Sequence, residues 1–308
     1  MLLKDKFPLL SYWLGKKLCL LRTFFYRRNP VKWTLRTYKR RFGSNLDLKN
    51  PVTFYDKMNY WKHYSYTNKQ DELTDKIEVK KILERNGFRD LCAECYFETS
   101  SIKDLKKWLY QNKNKYEKFV IKSSHSCGDV FIYDKGEITK KNGRKIKNLN
   151  KVLSMLRIGL RYNHYYTCFE SNYKNIKPRV YVEEFLDLSD RAIEYEFMCN
   201  YGKIVFTNIV RNRQSNHCTK VLVDGHFNYI EQIEGPVVDS KIYKEPNNYN
   251  FIKKFITQFV ATFPFCRVDF IVSDSKLYFC EFTFVKSGGI DKYKPEYLNK
   301  TLGDLFSL

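Results

Sequence analysis

Long apolar runs are missing from this chain of 308 residues: no stretch approaches the roughly 18 uncharged apolar residues of a membrane-spanning helix. Nor is there a leader ending in a small-residue cleavage site, so a soluble or peripheral protein is expected. Paired cysteine motifs are equally scarce. The nine cysteines are scattered, and only Cys92 and Cys95 form a C-x-x-C. A zinc site needs a second pair or nearby histidines, so reduced cytoplasmic thiols are the expected state. Internal repeats and low-complexity tracts are absent. Acid is in short supply too: 34 Asp and Glu face 55 Lys and Arg, giving a net charge of +21. That balance attracts something polyanionic, whether nucleic acid, an acidic membrane face, or a phosphorylated or uronic substrate.

What the chain has in quantity is apolar material. A hydrophobic content of 43% can fill a real core, and the length allows two domains or one with an elaborated lid. The acid shortage is greatest in residues 1–45, where KFPLLSYWLGKKLCLLRTFFYRRNPVKWTLRTYKRRF mixes Leu, Phe, Trp and Tyr with Lys and Arg. Such a segment can lie on an anionic membrane, aromatics in the interface and basic heads on lipid phosphates. It could equally be a nucleic-acid arm, or helices that cap the core. No nucleic-acid recognition motif follows, which ranks that partner last.

From Asn50 the pattern is that of a globular domain. LTDKIEVKKILERNGF reads as a helix with Leu73, Ile77, Ile82 and Leu83 on a broad face, Thr74 as N-cap and Gly87 as terminator. Further helices are expected near 101–112, 150–162 and 250–263, the last ended by Pro264. FVIK and DVFIYD predict a hairpin followed by a solvated basic loop at 140–148, and RVYVEEFL at 179–186 reads as a strand. EYEFMC and KIVFTNIV flank the turn signal Asn200-Tyr201-Gly202, and CRVDFIVSDSKLYFCEFTFV forms the last hairpin. Helices interleaved with hairpins give an α+β class with mostly antiparallel sheets.

Two polar features stand out. Along the last hairpin, strand alternation puts Arg267 and Asp269 on one face and Glu281 and Thr283 on one face of the return strand. A turn near Asp274-Ser275-Lys276 sets Asp269 opposite Glu281. Facing acids repel unless a cation sits between them, and Mg2+, which takes one or two carboxylates plus water and phosphate oxygens, fits. An ordinary salt-bridge network through Arg267 is the alternative. Earlier, FVIKSSHSCGDVFI ends an apolar strand with Lys122 before a Ser, His and Gly loop. An unpaired buried ammonium is costly, so an anion is sought there. The lysine, the loop around Gly128 and the two acids are the parts needed to hold a triphosphate with its metal.

These parts resemble the ATP-grasp superfamily, and within it the TupA-like branch named for teichuronopeptide biosynthesis and found among capsule and cell-surface polysaccharide genes. The resemblance covers residues 50–308 and rests on ordered blocks: NPVTFYDKMNYWKHY, LTDKIEVKKIL, KFVIKSSHSCGD, YKNIKPRVYVEEFL, EYEFMCNYGK, FPFCRVDF and YFCEFTF. The distantly related D-alanine:D-alanine ligases share the D-K-x-x-x-K, R-x-D and E-x-N logic. The resemblance implies two α+β subdomains whose antiparallel sheets clasp a nucleotide, after a basic aromatic helical arm. Its expected divisions are an arm at 1–49, an N-terminal part at 50–117, a nucleotide-lid subdomain at 118–190 and a metal-bearing subdomain at 191–308.

By the same resemblance, ATP and Mg2+ are the implied cofactors. Lys76 and Lys122 would hold phosphates, and the loop from Ser123 through Ser124, His125 and Gly128 to Asp129 would be the lid over them. Glu183 and Glu184, with the backbone of Phe185 and Leu186, resemble the hinge that reads adenine, and Glu194 the acid that reaches the ribose. Asp269, Glu281 and Thr283 match the metal ligands, and Arg267 would face the reacting phosphoryl or carboxylate. Tyr173, Lys174 and Arg179 lie in a block suited to acceptor contact. This chain departs from the pattern at Glu196, where relatives usually carry lysine, and at Ser126-Cys127, Cys280 and Lys286. A glutamate near a triphosphate repels it unless Lys203 or another basic residue compensates.

The activity so implied is carboxylate–amine ligation through an acyl phosphate. The acceptor would be an anionic, uronic-acid-type glycan and the donor an amine, at the inner face of the membrane. Arg211, Arg213 and Lys220 would suit such an acceptor. Two rivals stand beside it: a glycosyltransferase or other sugar-modifying enzyme, and a non-catalytic basic protein that binds polyanions.

Overall fold

The computed structural model describes residues 8–189, 191–213, 217–237, 243–290 and 295–308. Residues 1–7 of the basic arm, and the expected division at 190, lie outside the described residues. In chain order the helices are α1 Pro8–Tyr26, α2 Pro30–Phe42, α3 Phe54–Tyr64, α4 Asn68–Thr74, α5 Glu78–Arg85, α6 Ile102–Asn112, α7 Leu149–Gly159, α8 Tyr165–Cys168, α9 Tyr249–Val260 and α10 Leu298–Asp304. The strands are β1 Cys95–Thr99, β2 Lys118–Ser123, β3 Val130–Asp134, β4 Glu137–Lys140, β5 Val180–Glu184, β6 Ile193–Asn200, β7 Lys203–Arg211, β8 Thr219–Asp224, β9 Tyr229–Glu234, β10 Cys266–Ser273 and β11 Lys276–Thr283. They form two compact units, one of the residues up to Trp33 with Asp71–Leu186, the other of Thr34–Gln70 with Asp187–Leu308.

The first unit is built on a five-stranded sheet in the order β1-β5-β2-β3-β4, every pairing antiparallel. Alternation along β2 and β5 sends Phe119, Ile121, Val180 and Val182 into a core closed by Leu105 and Leu109 of α6 and Val152, Met155 and Leu156 of α7. Ser101 caps α6, its hydroxyl accepting from the Asp104 amide, and Asn148 caps α7 in the same way. The expected helix across Thr74 is instead two. α4 ends at Thr74, and the Asp75 carboxylate accepts from the amides of Ile77 and Glu78 at 2.9 and 3.4 Å, starting α5 afresh. A carboxylate binds two orphan amides better than the Thr74 hydroxyl binds one, so the break falls there. Gly87, at φ +82°, ends α5 as its sequence suggests. The basic stretch at 140–148 is not entirely free loop, since Ile146 donates back to Ile138 and Lys140 to Arg144 across the Gly143 turn.

The second unit carries a six-stranded sheet ordered β11-β10-β6-β7-β8-β9, again antiparallel throughout. One face buries Met198, Phe206 and Leu222 against Phe54, Met58 and Trp61 of α3 and Leu298 and Leu302 of α10. On the other, Phe255 and Phe259 of α9 meet Phe270, Phe279 and Phe282 of β10 and β11, with ring centroids 5.2–6.0 Å apart. α3 opens with a capping box, Thr53 accepting from the Asp56 amide and the Asp56 carboxylate from the Thr53 amide. The β6–β7 turn at Tyr201-Gly202 and the β10–β11 turn at Asp274-Ser275 each put two residues at positive φ, as tight hairpins require. β8 and β9 had no counterpart in the sequence reading.

Beyond β11 the chain turns sharply through Lys286–Gly289, where Ser287, Gly288 and Gly289 all have positive φ. Buried α3 side chains hold this turn: Asn59 donates to the Gly289 carbonyl at 2.7 Å and Lys62 to the Gly288 carbonyl at 2.9 Å. A Cβ on Gly289 would come within 2.6 Å of the Asn59 amide. Gly289→Ala is therefore expected to lower stability by about 2 kcal/mol in denaturant titration, from strained φ and lost contact together. Wild-type stability in that variant would refute this account of the turn.

Candidate active site

In the first unit the charged groups converge on β5. Strand alternation buries Glu183 and leaves Glu184 toward the neighbouring strand. Glu183 is the anion that meets Lys122, whose ammonium pairs with its Oε1, while Lys80 of α5 pairs with its Oε2 at 2.5 Å. Lys80 also donates to the Ala93 carbonyl at 2.7 Å. Burial alone would raise the Glu183 carboxyl, but the two ammonium groups hold it below the usual carboxylate range. Glu184 turns away from this cluster, accepting from the Glu94 amide at 3.2 Å. Phe185, just past the strand, lies under the Lys118 ammonium at 4.1 Å, and Leu186 follows half-buried.

The loop 123–129 follows β2 directly. Ser123, Ser124, His125, Ser126 and Asp129 are buried, and Cys127 and Gly128 form its exposed tip, Gly128 at φ +92°. Asp129 organises the loop: its Oδ2 accepts from the Ser126 hydroxyl at 2.7 Å and the Ser123 hydroxyl at 3.4 Å, and its Oδ1 from Tyr12 of α1 at 2.9 Å. Lys76 donates from Nζ to the Ser126 carbonyl at 3.2 Å, which places its ammonium on the loop. His125 contacts the Gly159 carbonyl through Nε2 at 3.2 Å, and burial keeps its imidazole below the usual range and so neutral at pH 7. Arg179 binds Asp75 and Glu78, each at 2.8 Å, and so fixes the α4–α5 junction that carries Lys76. Tyr173 packs edge-on against the His164 ring, and Lys174 is exposed.

In the second unit the register aligns Asn208, Glu196, Asp269 and Glu281 across β7, β6, β10 and β11. Asp269 faces Glu281 as expected, through a bulge in which Cys280 is the extra, exposed residue of β11. Arg267 binds Asp269 twice, at 2.7 and 2.6 Å, and reaches Glu281 at 3.0 Å; the Thr283 hydroxyl donates to Glu281 at 3.3 Å. Burial, with the nearby Glu196 and Glu281 charges, pushes the Asp269 carboxyl up against the opposing pull of Arg267. The cluster offers hard oxygen donors. Among the described residues no group of three or more His, Cys, Asp or Glu side chains could hold a metal ion. A small hard cation would find two carboxylates here and draw its other ligands from water or phosphate, which suits Mg2+.

Glu196, the departure from the family pattern, is compensated, though not by Lys203. Its carboxylate accepts from Arg213 at 2.6 Å, Lys220 at 2.8 Å and Asn208 at 2.8 Å. Burial opposes its ionisation, and Arg267, Lys220 and Arg213 more than offset that, holding it far below the usual range. Glu194 pairs with Arg213 as well. The sequence reading missed Lys80, although the D-K-x-x-x-K spacing from Asp75 marks it. It also left Arg213 and Lys220 as free cations, because their partners lie on other strands.

The Glu183 pairing has a testable sign. A carboxyl held below its usual pKa stabilises the fold above about pH 4.3 and loses that contribution as pH falls through its folded value. Glu183→Gln is expected to cost about 2–3 kcal/mol at pH 7, less than for a fully dry pair because both lysines keep some solvent, and to flatten the acid limb of a stability–pH curve. An unchanged acid limb would contradict the pairing.

A family model described as TupA-like ATPgrasp matches residues 56–307. No protein of curated function matches the chain. Among solved structures, the D-alanine–D-alanine ligase of Helicobacter pylori is similar at 14% identity over 76% of this chain and 61% of its own, with a TM-score of 0.42. The RiPP-associated ATP-grasp ligase of Chryseobacterium gregarium, in complex with ADP and a leader and core peptide, is similar at 13% identity over 80% of this chain and 65% of its own, with a TM-score of 0.39. The macrocyclase MdnC of Microcystis aeruginosa, bound with its precursor peptide, is similar at 12% identity over 77% of this chain and 61% of its own, with a TM-score of 0.39. The chain spans about three fifths of the length of these structures. With the family model covering most of its length, the chain belongs to the TupA-like ATP-grasp family.

Proposed function

We propose that the protein is an ATP-dependent ligase that joins a carboxylate to an amine, acting on a cell-surface polysaccharide or its precursor at the inner face of the membrane. The observation that carries the reading is the pair of facing carboxylates, Asp269 and Glu281, with Arg267 bound to both. In the other unit, Lys76, Lys80 and Lys122 form a cluster of cations suited to phosphate oxygens. Net charge of +21 favours an anionic acceptor of the uronic-acid type.

In this reading an acceptor carboxylate oxygen attacks the γ-phosphorus of ATP, the bond to the β–γ bridging oxygen breaks, and ADP leaves. The amine then attacks the acyl carbon of the resulting acyl phosphate, phosphate departs, and the nitrogen loses a proton. Asp269 and Glu281, with the Thr283 hydroxyl beside them, would hold Mg2+, which would supply charge neutralisation on the phosphate oxygens. Lys76, Lys80 and Lys122 bind phosphate oxygens, Lys122 and Lys80 exchanging part of their hold on Glu183 for the nucleotide. Arg267 orients the reacting phosphoryl or carboxylate group. The backbone of 185–186 and Glu194 serve the adenosine. No side-chain nucleophile is required, and catalysis rests on positioning and charge.

Thermal-shift titration checks the nucleotide step. ATP with Mg2+ is expected to stabilise the wild type, Lys122→Ala and Lys80→Ala to weaken binding by tenfold or more, equivalent to about 1.4 kcal/mol, and Asp269→Asn to lose the Mg2+-dependent part of the stabilisation. A folded wild type that ignores ATP but binds polyanions in a steeply salt-dependent way would replace this reading with that of a basic binding protein. The acceptor is checked by ADP release. It should require a carboxylated glycan and an amine together, whereas turnover of a sugar nucleotide without ADP would point to glycosyl transfer.

A further inference from the structure

Helix α1 presents two faces of opposite character. Leu10, Trp13, Leu14, Leu18, Leu21, Phe24 and Phe25 are all exposed, Leu18 at 60%, Phe24 at 73% and Phe25 at 71%. At about 100° per residue they fall within one arc of roughly 140°. Tyr12 projects from the opposite side, partly buried against the core of the first unit. There its hydroxyl donates to Asp129, and burial together with that carboxylate raises its pKa well above the usual range, so it remains a donor. A solvent-facing apolar stripe of this length calls for an occupant.

The charge around the stripe identifies the occupant's chemistry. Between Asp5 and Asp47 the sequence contains no acid, while Lys16, Lys17, Arg22, Arg27 and Arg28 lie on or beside α1. Lys17 stands within the stripe, its ammonium 5.2 Å from the Trp13 ring. Aromatic and leucine side chains bordered by basic heads, with no acid to repel phosphate, match the interfacial layer of an anionic bilayer. The helix cannot cross that bilayer, for no described helix is long and apolar enough.

We infer that the outer face of α1 seats in the headgroup layer of an anionic membrane, and that its inner face, through Tyr12, ties this seating to the order of loop 123–129. The membrane location rests on the reading above, but the named surface and its link to the loop do not follow from the ligase chemistry. Asp129 is the junction, since it accepts from Tyr12 and from both loop serines, Ser123 and Ser126. Gly159 sits beneath this contact, where an added Cβ would lie 2.9 Å from the Tyr12 hydroxyl. Helix and loop are therefore held at one point.

Flotation of the full chain with vesicles of phosphatidylglycerol and phosphatidylcholine, against phosphatidylcholine alone, tests the surface without nucleotide, so its failure leaves the ligase reading intact. The wild type is expected to float with the anionic vesicles only, and Leu18→Glu with Phe25→Glu to reduce recovery about tenfold while melting like the wild type. Equal flotation of variant and wild type, or a wild-type dimer in light scattering that the same substitutions dissociate, would overturn the assignment, the second by giving the face to another copy of the chain. Hydrogen exchange tests the link: anionic vesicles should slow exchange in residues 123–129 of the wild type and not of Tyr12→Phe. Unaltered exchange in the vesicle-bound wild type would refute the coupling.

Discussion

Buried carboxylates that must be matched by cations govern both units of this protein. Glu183 in one and Glu196 and Asp269 in the other are almost fully removed from water, and an isolated buried charge would unfold its surroundings or lose its ionisation. Glu183 and Glu196 have recruited partners from distant parts of the chain, whereas Asp269 is met by Arg267 two residues before it. Lys80 comes from a helix and Lys122 from the adjacent strand to meet Glu183. Arg213 and Lys220 converge on Glu196 from beyond β7 and from β8. Such networks add little net stability compared with an apolar core, but they hold side chains to one geometry, which a charged-ligand site requires.

The same constraint connects fold to chemistry. The lysines that hold Glu183 are the cations that the proposed reaction assigns to phosphate, so the cluster carries positive charge ready for exchange onto a ligand. The second unit gathers carboxylates instead. Arg267 is shared by Asp269 and Glu281, and Asp269 remains pushed toward protonation by its burial and by the neighbouring acids. A bound cation would offset that push, and one with few protein ligands would leave room for phosphate oxygens. Glu196 does not spoil this arrangement, because Lys220 and Arg213 neutralise it locally and Asn208 satisfies it further.

Features with short-range causes were legible in the sequence. Period-two alternation and a turn near Asp274-Ser275-Lys276 put Asp269 against Glu281, a pairing that the actual two-residue turn reaches only through the bulge at Cys280, and the Asn200-Tyr201-Gly202 signal placed the β6–β7 hairpin. Where two local rules competed, the outcome was less legible: Thr74 and Asp75 both suit a cap, and the stronger acceptor, Asp75, divided the expected helix. Long-range pairing was the least legible. Nothing in the periodicity near Glu196 names Arg213 or Lys220, and nothing near Lys122 names Glu183, some sixty residues on, as its anion. β9 escaped notice because a half-buried strand with polar alternation looks like a loop until a neighbouring strand is in place, whereas the short buried run Val221-Leu222-Val223 of β8 was a signal that went unread.

The central claim is that Asp269 and Glu281 form a cation site completed by nucleotide phosphates. Electron paramagnetic resonance of Mn2+, a stand-in for Mg2+, titrated into the protein with and without ATP tests it most directly. The account predicts a bound Mn2+ signal that tightens when ATP is added and disappears in Asp269→Asn with Glu281→Gln. A signal of equal strength in that double variant, or one indifferent to ATP, would contradict it.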